Sequence, residues 1–388
     1  MDKILNYIDG ELVAPTCGNY LDNYNPSTGK VYSLIPDSDK DDVDIAVAAA
    51  KKAFKGWSTT SKQERSDILM KLADTIEKHF DELVKAESRD NGKPESLAAN
   101  VDIPRAPANI RFFAGAILHN SSKMHEMDGM AINYTLRQPI GVAACISPWN
   151  LPLYLLTWKV APALAAGNTV VAKPSEVTPM TAFLFSKICI EAGLPKGVLN
   201  IVHGLGSKVG DPLTTHLDTP IVSFTGGTVT GKHIASVTAP MFKKLSLELG
   251  GKNPNIIFDD ADFEKAVSVA ARAAFTNQGQ ICLCGSRVFV QKGIYDKFKD
   301  ALIVKTKKLK VGDPKDPKSQ LGAVVSEEHM NKILDKIKLA KSLGGDILIG
   351  GEREILDGEL KAGYYIQPTI IEGLSFNCDI NQEEIFGP

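Results

Sequence analysis

The chain has 388 residues, 44% hydrophobic and 23% charged, with a formal net charge of −2. That length suits two domains, and the composition is that of an ordinary globular protein. The charge balance leaves no basic field for nucleic acid or anionic lipid, and no apolar run is long enough to span a membrane, the best (around 151–166) being broken by Lys159.

The first residues, Met1-Asp2-Lys3-Ile4-Leu5-Asn6, hold no apolar stretch of signal-peptide length. Val43, Ala46, Val47, Ala50 and Phe54 share one helical face, and Gly56 is expected to stop that helix. Ser61 and Glu64 form a capping-box pattern ahead of a second helix carrying Ile68, Leu72, Ile76 and Phe80. Residues 131–137 alternate, with Ile132, Tyr134 and Leu136 on one side, which predicts a half-exposed antiparallel strand. From Gly141 short apolar runs (141–147, 169–173, 198–202, 221–224, 245–249) alternate with helical stretches such as 153–166 and 179–192. This strand-helix alternation predicts a parallel, doubly wound sheet. The pattern restarts with strands over 255–258 and 287–290 around an Ala-rich helix over 263–275. A boundary falls near Gly250-Gly251, a pair suited to a hinge.

Ligands of an open parallel sheet sit at the carboxyl ends of its strands. After 141–147 comes Pro148-Trp149-Asn150. The Asn150 amide suits an oxyanion, or it caps the next helix. After 169–173 comes Pro174-Ser175-Glu176. There Lys173 and Glu176 suit adenosine ribose hydroxyls, the carboxylate favouring NAD over NADP; the alternative is a surface ion pair. Thr225-Gly226-Gly227-Thr228-Val229-Thr230-Gly231 lets backbone approach a pyrophosphate at a helix N-terminus. Gly204-Leu205-Gly206, with Gly210 beyond, reads as a turn beside it. Glu248, followed by Leu249-Gly250-Gly251, ends a strand and suits a general base if buried, or is an ordinary exposed carboxylate.

Of six scattered cysteines (Cys17, Cys145, Cys189, Cys282, Cys284 and Cys378), Cys282 lies in the polar loop Phe275-Thr276-Asn277-Gln278-Gly279-Gln280-Ile281-Cys282. Such a loop suits a reactive thiolate, although a lone cysteine is more often inert and buried. Cys284 would face the same side if the segment were extended. The cysteine pattern fits neither a disulfide framework nor a metal site, so no metal is expected and the setting is expected to be reducing and cytoplasmic.

Together these motifs, with Glu383-Glu384-Ile385-Phe386-Gly387-Pro388, resemble the aldehyde dehydrogenase superfamily along the whole chain. The resemblance implies a Rossmann-type NAD-binding domain (1–120 and 140–250), an α/β catalytic domain (251–388) and small antiparallel oligomerisation strands (121–139). It implies that Cys282 attacks an aldehyde, that Asn150 and the Cys282 N–H hold the oxyanion, that hydride passes to the nicotinamide, and that Glu248 activates water. It also implies that NAD is held by Ile146, Ser147, Pro148, Trp149, Lys173, Ser175, Glu176, Gly206, Gly210, Phe224, Thr225, Gly226, Gly227, Gly231, Leu249, Glu384 and Phe386. Many relatives have Ser where Gly227 stands, which removes a hydroxyl contact but not the turn.

Asp102-Ile103-Pro104-Arg105, the stretch from Ile146 to Lys159, Lys243-Lys244-Leu245-Ser246-Leu247-Glu248 and Cys282-Leu283-Cys284 resemble more narrowly the branch that includes 2-aminomuconic semialdehyde dehydrogenase, of tryptophan breakdown by the kynurenine route. Its substrates carry a carboxylate remote from the aldehyde, and Arg105 is the implied partner, or else a surface arginine near Asp102. The family does not end at Pro388. The missing portion is expected to leave the catalytic domain incomplete, the 131–137 strand unmated and the chain poorly stable or inactive. The resemblance also implies a homodimer or homotetramer. Competing readings are a general aldehyde dehydrogenase (betaine, fatty or hydroxymuconic type), ester hydrolysis at the same cysteine, and a non-enzymatic binding protein. The cofactor set argues against the second and the retained Cys282 and Glu248 against the third.

Overall fold

The computed structural model describes all 388 residues. They divide into two compact units: Met1–Leu21, Leu34–Leu83 and Val101–Glu248 form the first, and Asp22–Ser33, Val84–Asn100 and Leu249–Pro388 form the second.

The first unit is built on a seven-stranded sheet. Its strands are β1 (Asn6–Ile8), β2 (Glu11–Val13), β3 (Val142–Ile146), β4 (Thr169–Lys173), β5 (Leu199–Ile201), β6 (Ile221–Thr225) and β7 (Lys244–Glu248), in the spatial order β7-β6-β3-β4-β5-β1-β2. β7, β6, β3, β4 and β5 run parallel, while β1 joins β5 antiparallel and forms a hairpin with β2. The parallel core is the one predicted. The hairpin was not, because three-residue runs are too short to show alternation.

Every residue of β3 and β4 is buried. Strands buried on both faces need cover on both, and burying a Val or Ile side chain contributes roughly 2 kcal/mol. Helices α1 (Lys40–Trp57), α2 (Lys62–Lys78), α3 (Ile103–Leu118), α4 (Pro152–Ala165) and α5 (Met180–Ala192) supply the cover. α1 and α4 pack directly on β4, α3 packs between α2 and α4, and α5 packs on α2. α1 buries Val43, Ala46, Val47 and Ala50, and Asp39 with Asp42 closes a capping box at its start. The helix continues through Gly56 to Trp57, so the expected stop is wrong: the Trp57 indole N–H donates to the Leu164 carbonyl at 3.1 Å and holds the last turn in place. At α2 only the Ser61 half of the expected box forms, accepting from the Glu64 N–H at 3.1 Å. Phe80 opens a separate helix (Phe80–Asn91) rather than ending α2, because His79 breaks the α2 geometry.

Ala131–Tyr134 pairs antiparallel with Met124–Met127, and all eight positions are exposed. The strand was expected to be half-exposed; two strands alone present too narrow a face to bury either side.

In the second unit β8 (Pro254–Ile257) and β9 (Arg287–Val290) pair in parallel. The α-helix between them, Phe263–Phe275, is capped by the Asp262 carboxylate and packs with Tyr295–Thr306 over a core of Ile257, Val267, Ala270, Phe298 and Leu302. A second core joins Met330, Ile333 and Ile337 of the helix Glu327–Ser342 to Tyr364, Tyr365 and Ile366. No helix in the chain is long and apolar enough to cross a membrane, and all six cysteines are free.

Candidate active site

Strand register decides where the first unit places its chemistry. Ile146 lies opposite Lys173 and Phe224, and Thr225 opposite Glu248, so these strand ends share one edge of the sheet. The chain leaves β3 for β4 and β5 on one side, then returns to β6 on the other. The loops after β3 and β6 therefore flank a topological switch point, where doubly wound sheets bind ligands.

After β3, Ser147 and Asn150 are both buried. The Ser147 N–H donates to the Lys173 carbonyl at 3.1 Å, and its hydroxyl has no partner within the protein. The Trp149 carbonyl accepts from the Thr178 hydroxyl at 3.5 Å. After β6, Gly227 is the N-cap of α6 (Thr228–Thr238), with no side-chain cap on its N–H groups. Gly226 fits because it lacks a side chain: a Cβ there would lie 2.5 Å from the Phe224 ring. Its N–H donates to the Glu248 carbonyl at 3.1 Å, tying the ends of β6 and β7 together.

Lys173 is buried and donates to the Glu176 carboxylate at 2.9 Å. Burial pushes the Glu176 carboxyl up, but the Lys173 ammonium and the backbone N–H groups of Glu176 and Gly206 outweigh it and hold it below the usual range. Gly206 thus supports the carboxylate, and a Cβ on Gly210 would approach the Lys173 stem at 3.9 Å. The stretch read as a mere turn is part of the same cluster. His203, beside it, is fully enclosed, and neither ring nitrogen has a partner. Burial first, and the nearby Lys173 charge second, push its pKa down to about 3.

Glu248 ends the edge strand and is exposed, so the burial expected of a general base is not seen. Sequence reasoning missed its electrostatic neighbour. Lys159 on α4 is buried, donates to the Ser223 hydroxyl at 3.2 Å, and lies within Coulombic reach of Glu248 and Cys145. Burial lowers its pKa while those two groups raise it. A lysine inside an apolar helix was the signal available.

At the start of α3, Arg105 is exposed and its guanidinium lies 5.2 Å from the Tyr154 ring centroid, with Nη2 3.4 Å from the Tyr154 hydroxyl.

In the second unit, Asn277, Gln278 and Gly279 adopt left-handed backbone in succession. Only Gly279 does so freely, and a Cβ there would lie 2.1 Å from the Gly387 carbonyl. Side chains hold the loop: Gln278 donates to the Ala323 carbonyl at 2.9 Å, and Gln280 accepts from the Val325 N–H at 3.0 Å. The loop ends at partly exposed Cys282, whose carbonyl accepts from the Asn253 amide at 2.6 Å. The segment is a turn closed by Cys284 N–H to Ile281 carbonyl, not extended, so Cys282 and Cys284 do not share a strand face. Burial pushes the Cys284 thiol up to about 11, and it donates to the Gly279 carbonyl at 3.3 Å. Those features make Cys284 an unreactive neighbour.

Glu384 lies against Gly250, where a Cβ would meet its carboxylate at 2.0 Å. Burial raises its pKa, while the Gly251 N–H and the Lys252 ammonium lower it. Phe386 has left-handed backbone, and its carbonyl accepts from the His329 ring at 2.7 Å.

The profile of the aldehyde dehydrogenase family matches residues 13–388. The chain belongs to the aldehyde dehydrogenase family. It is 50% identical to 2-aminomuconic semialdehyde dehydrogenase of Danio rerio over 386 residues, covering 99% of this chain and 79% of that protein. The human protein of the same name is 48% identical with the same coverage, and 2-hydroxymuconic semialdehyde dehydrogenase of a Pseudomonas strain is 43% identical over 100% of this chain and 81% of its own. Among solved structures, the NAD+ complex of an aldehyde dehydrogenase from Bacillus cereus superposes with a TM-score of 0.96 at 38% identity, covering 100% of this chain and 78% of that one.

The residues present fit NAD. The uncapped α6 N-terminus and Gly226 make an anion cradle, the charged Glu176 suits ribose hydroxyls, and the unpartnered Ser147 hydroxyl stands ready at the end of β3.

Proposed function

We propose that this aldehyde dehydrogenase oxidises a semialdehyde carrying a remote carboxylate, such as 2-aminomuconic semialdehyde, to the corresponding acid with NAD+. The observation that carries the substrate class is the exposed Arg105 guanidinium, held over Tyr154 and without a carboxylate partner of its own. A guanidinium fork matches a carboxylate in two parallel hydrogen bonds. The relatives named for muconic semialdehydes support the same class.

NAD+, when bound, supplies the hydride acceptor. Lys173, Glu176 and the Gly226–Gly227 turn would hold the adenosine ribose and pyrophosphate of NAD+, Glu384 would bond its nicotinamide ribose, and Phe386 would pack on its nicotinamide. The Cys282 thiolate adds to the aldehyde carbon, and the Asn150 amide with the Cys282 N–H stabilises the resulting oxyanion. Loss of hydride from that carbon leaves a thioester on Cys282. Glu248 takes a proton from water, the hydroxide equivalent attacks the thioester, and the acid leaves as the Cys282 thiolate returns.

A free thiolate works best in a reducing compartment, and that chemistry favours the cytoplasm as the setting. The exposed apolar residues Met124, Ile132 and Tyr134 of the hairpin suit a contact between copies, in a homodimer or homotetramer.

A screen of carboxylated and uncharged aldehydes on wild type and Arg105→Ala tests the substrate class. Arg105→Ala should lower kcat/KM for the carboxylated set selectively. An unchanged value for that set would contradict it.

A further inference from the structure

We infer that Tyr154 is a positioning residue for substrate selection: its ring and hydroxyl hold the Arg105 guanidinium open toward a substrate carboxylate. The inference rests on the reading of Arg105 given above and adds the residue that makes that arginine effective.

Arg105 sits in the first turn of α3, just beyond a π-helical turn over Ala98–Asp102. A long, exposed arginine ordinarily samples many rotamers, and a ligand that uses it must freeze them. Here the guanidinium is already placed, 5.2 Å from the Tyr154 ring centroid and within reach of its hydroxyl at 3.4 Å. A cation within about 6 Å of a ring centroid is attracted by the ring quadrupole. The contact engages one face and one nitrogen, so the remaining N–H donors stay free for a carboxylate.

Tyr154 is itself fixed. Asn109, one turn after Arg105 on α3 and buried, donates to the Tyr154 carbonyl at 3.1 Å and to the Thr157 hydroxyl at 3.2 Å. The Trp158 ring meets the Tyr154 ring edge-on at 6.4 Å and the Phe113 ring at 5.9 Å. Arg105, Asn109 and Phe113 follow each other at four-residue spacing on α3, and Tyr154 and Trp158 do so on α4, so the two helices meet along matched faces. Asn150 lies four residues before Tyr154, just ahead of α4. One short element thus carries the proposed oxyanion donor and, about a turn later, the ring that aims the carboxylate-binding arginine.

The test uses 2-hydroxymuconic semialdehyde and hexanal, its uncharged length match, with NAD+, on wild type, Tyr154→Phe, Tyr154→Leu, Arg105→Ala and the Arg105→Ala/Tyr154→Leu double variant. The ratio of kcat/KM for the charged over the uncharged aldehyde should fall about tenfold in Tyr154→Leu, chiefly through KM, and by less in Tyr154→Phe, which keeps the ring. In the Arg105→Ala background, Tyr154→Leu should change that ratio no further, because the two residues act as one. Equal losses for both aldehydes, or full additivity with Arg105→Ala, would overturn the role of Tyr154 while leaving Arg105 standing. An unchanged ratio in Arg105→Ala would overturn both.

Discussion

Acid should destabilise the first unit through His203, and the size of the effect follows from its enclosure. The ring is 1% exposed and neither nitrogen has a partner, so an imidazolium there has nothing to replace its hydration. Burial and the Lys173 charge push its pKa from 6.5 down to about 3. The unfolded chain therefore takes up a proton below the ordinary value, and the folded chain does not until near the depressed one. The stability contribution is complete above the unfolded pKa and is lost as pH falls toward the folded one. At about 1.4 kcal/mol per unit, the loss is roughly 2 kcal/mol near pH 5 and approaches roughly 5 kcal/mol at still lower pH. The three tryptophans, Trp57, Trp149 and Trp158, all lie in the first unit, so their fluorescence in a urea titration reports that unit alone. Wild type and His203→Asn should be compared near pH 8 and near pH 5. Other groups titrate in both proteins and cancel in the difference. Wild type should lose about 2 kcal/mol more than the variant between the two conditions. Equal losses would refute the assignment of a buried neutral imidazole.

Three further expectations concern the site. Glu248→Gln should still form the thioester but hydrolyse it slowly, giving a burst of about one NADH per subunit and an acyl adduct on Cys282 by mass spectrometry; a linear time course without adduct would remove Glu248 from deacylation. Glu176→Gln should weaken NAD+ binding about tenfold and narrow the preference over NADP+, since a charge-assisted hydrogen bond contributes roughly 1.5–3 kcal/mol; calorimetric titration of both cofactors reads this, and an unchanged preference would contradict it. Gly279→Ala should destabilise the second unit by more than about 2 kcal/mol, because a left-handed alanine costs 1–2 kcal/mol and its Cβ would meet the Gly387 carbonyl; thermal unfolding within one degree of wild type would argue against that close approach.

The parallel strands were legible because short apolar-rich runs alternate with helical stretches from Gly141 onward, and the register then aligned their ends as the doubly wound pattern requires. Lys173 and Glu176 stand at the end of one such strand, where the ammonium donates to the carboxylate. What the sequence hid depends on contacts distant along the chain. Nothing local shows that the Gly206 N–H reaches Glu176, that Lys159 stands near Glu248, or that the Cys282 segment closes into a turn rather than extending. Gly56 looked like a stop because glycine is a poor helix former, yet a tertiary hydrogen bond from Trp57 holds the helix past it. The pairing of Arg105 with Tyr154 needs two helices forty-nine positions apart, which no motif window contains.

The most direct test of the account is NADH absorbance when the protein is mixed with NAD+ and a carboxylated semialdehyde, beside Cys282→Ser and Cys284→Ser. Wild type and Cys284→Ser should produce NADH and Cys282→Ser should not. NADH from Cys282→Ser at the wild-type rate, or acid formed by wild type without NADH, would contradict a hydride transfer from a Cys282 adduct.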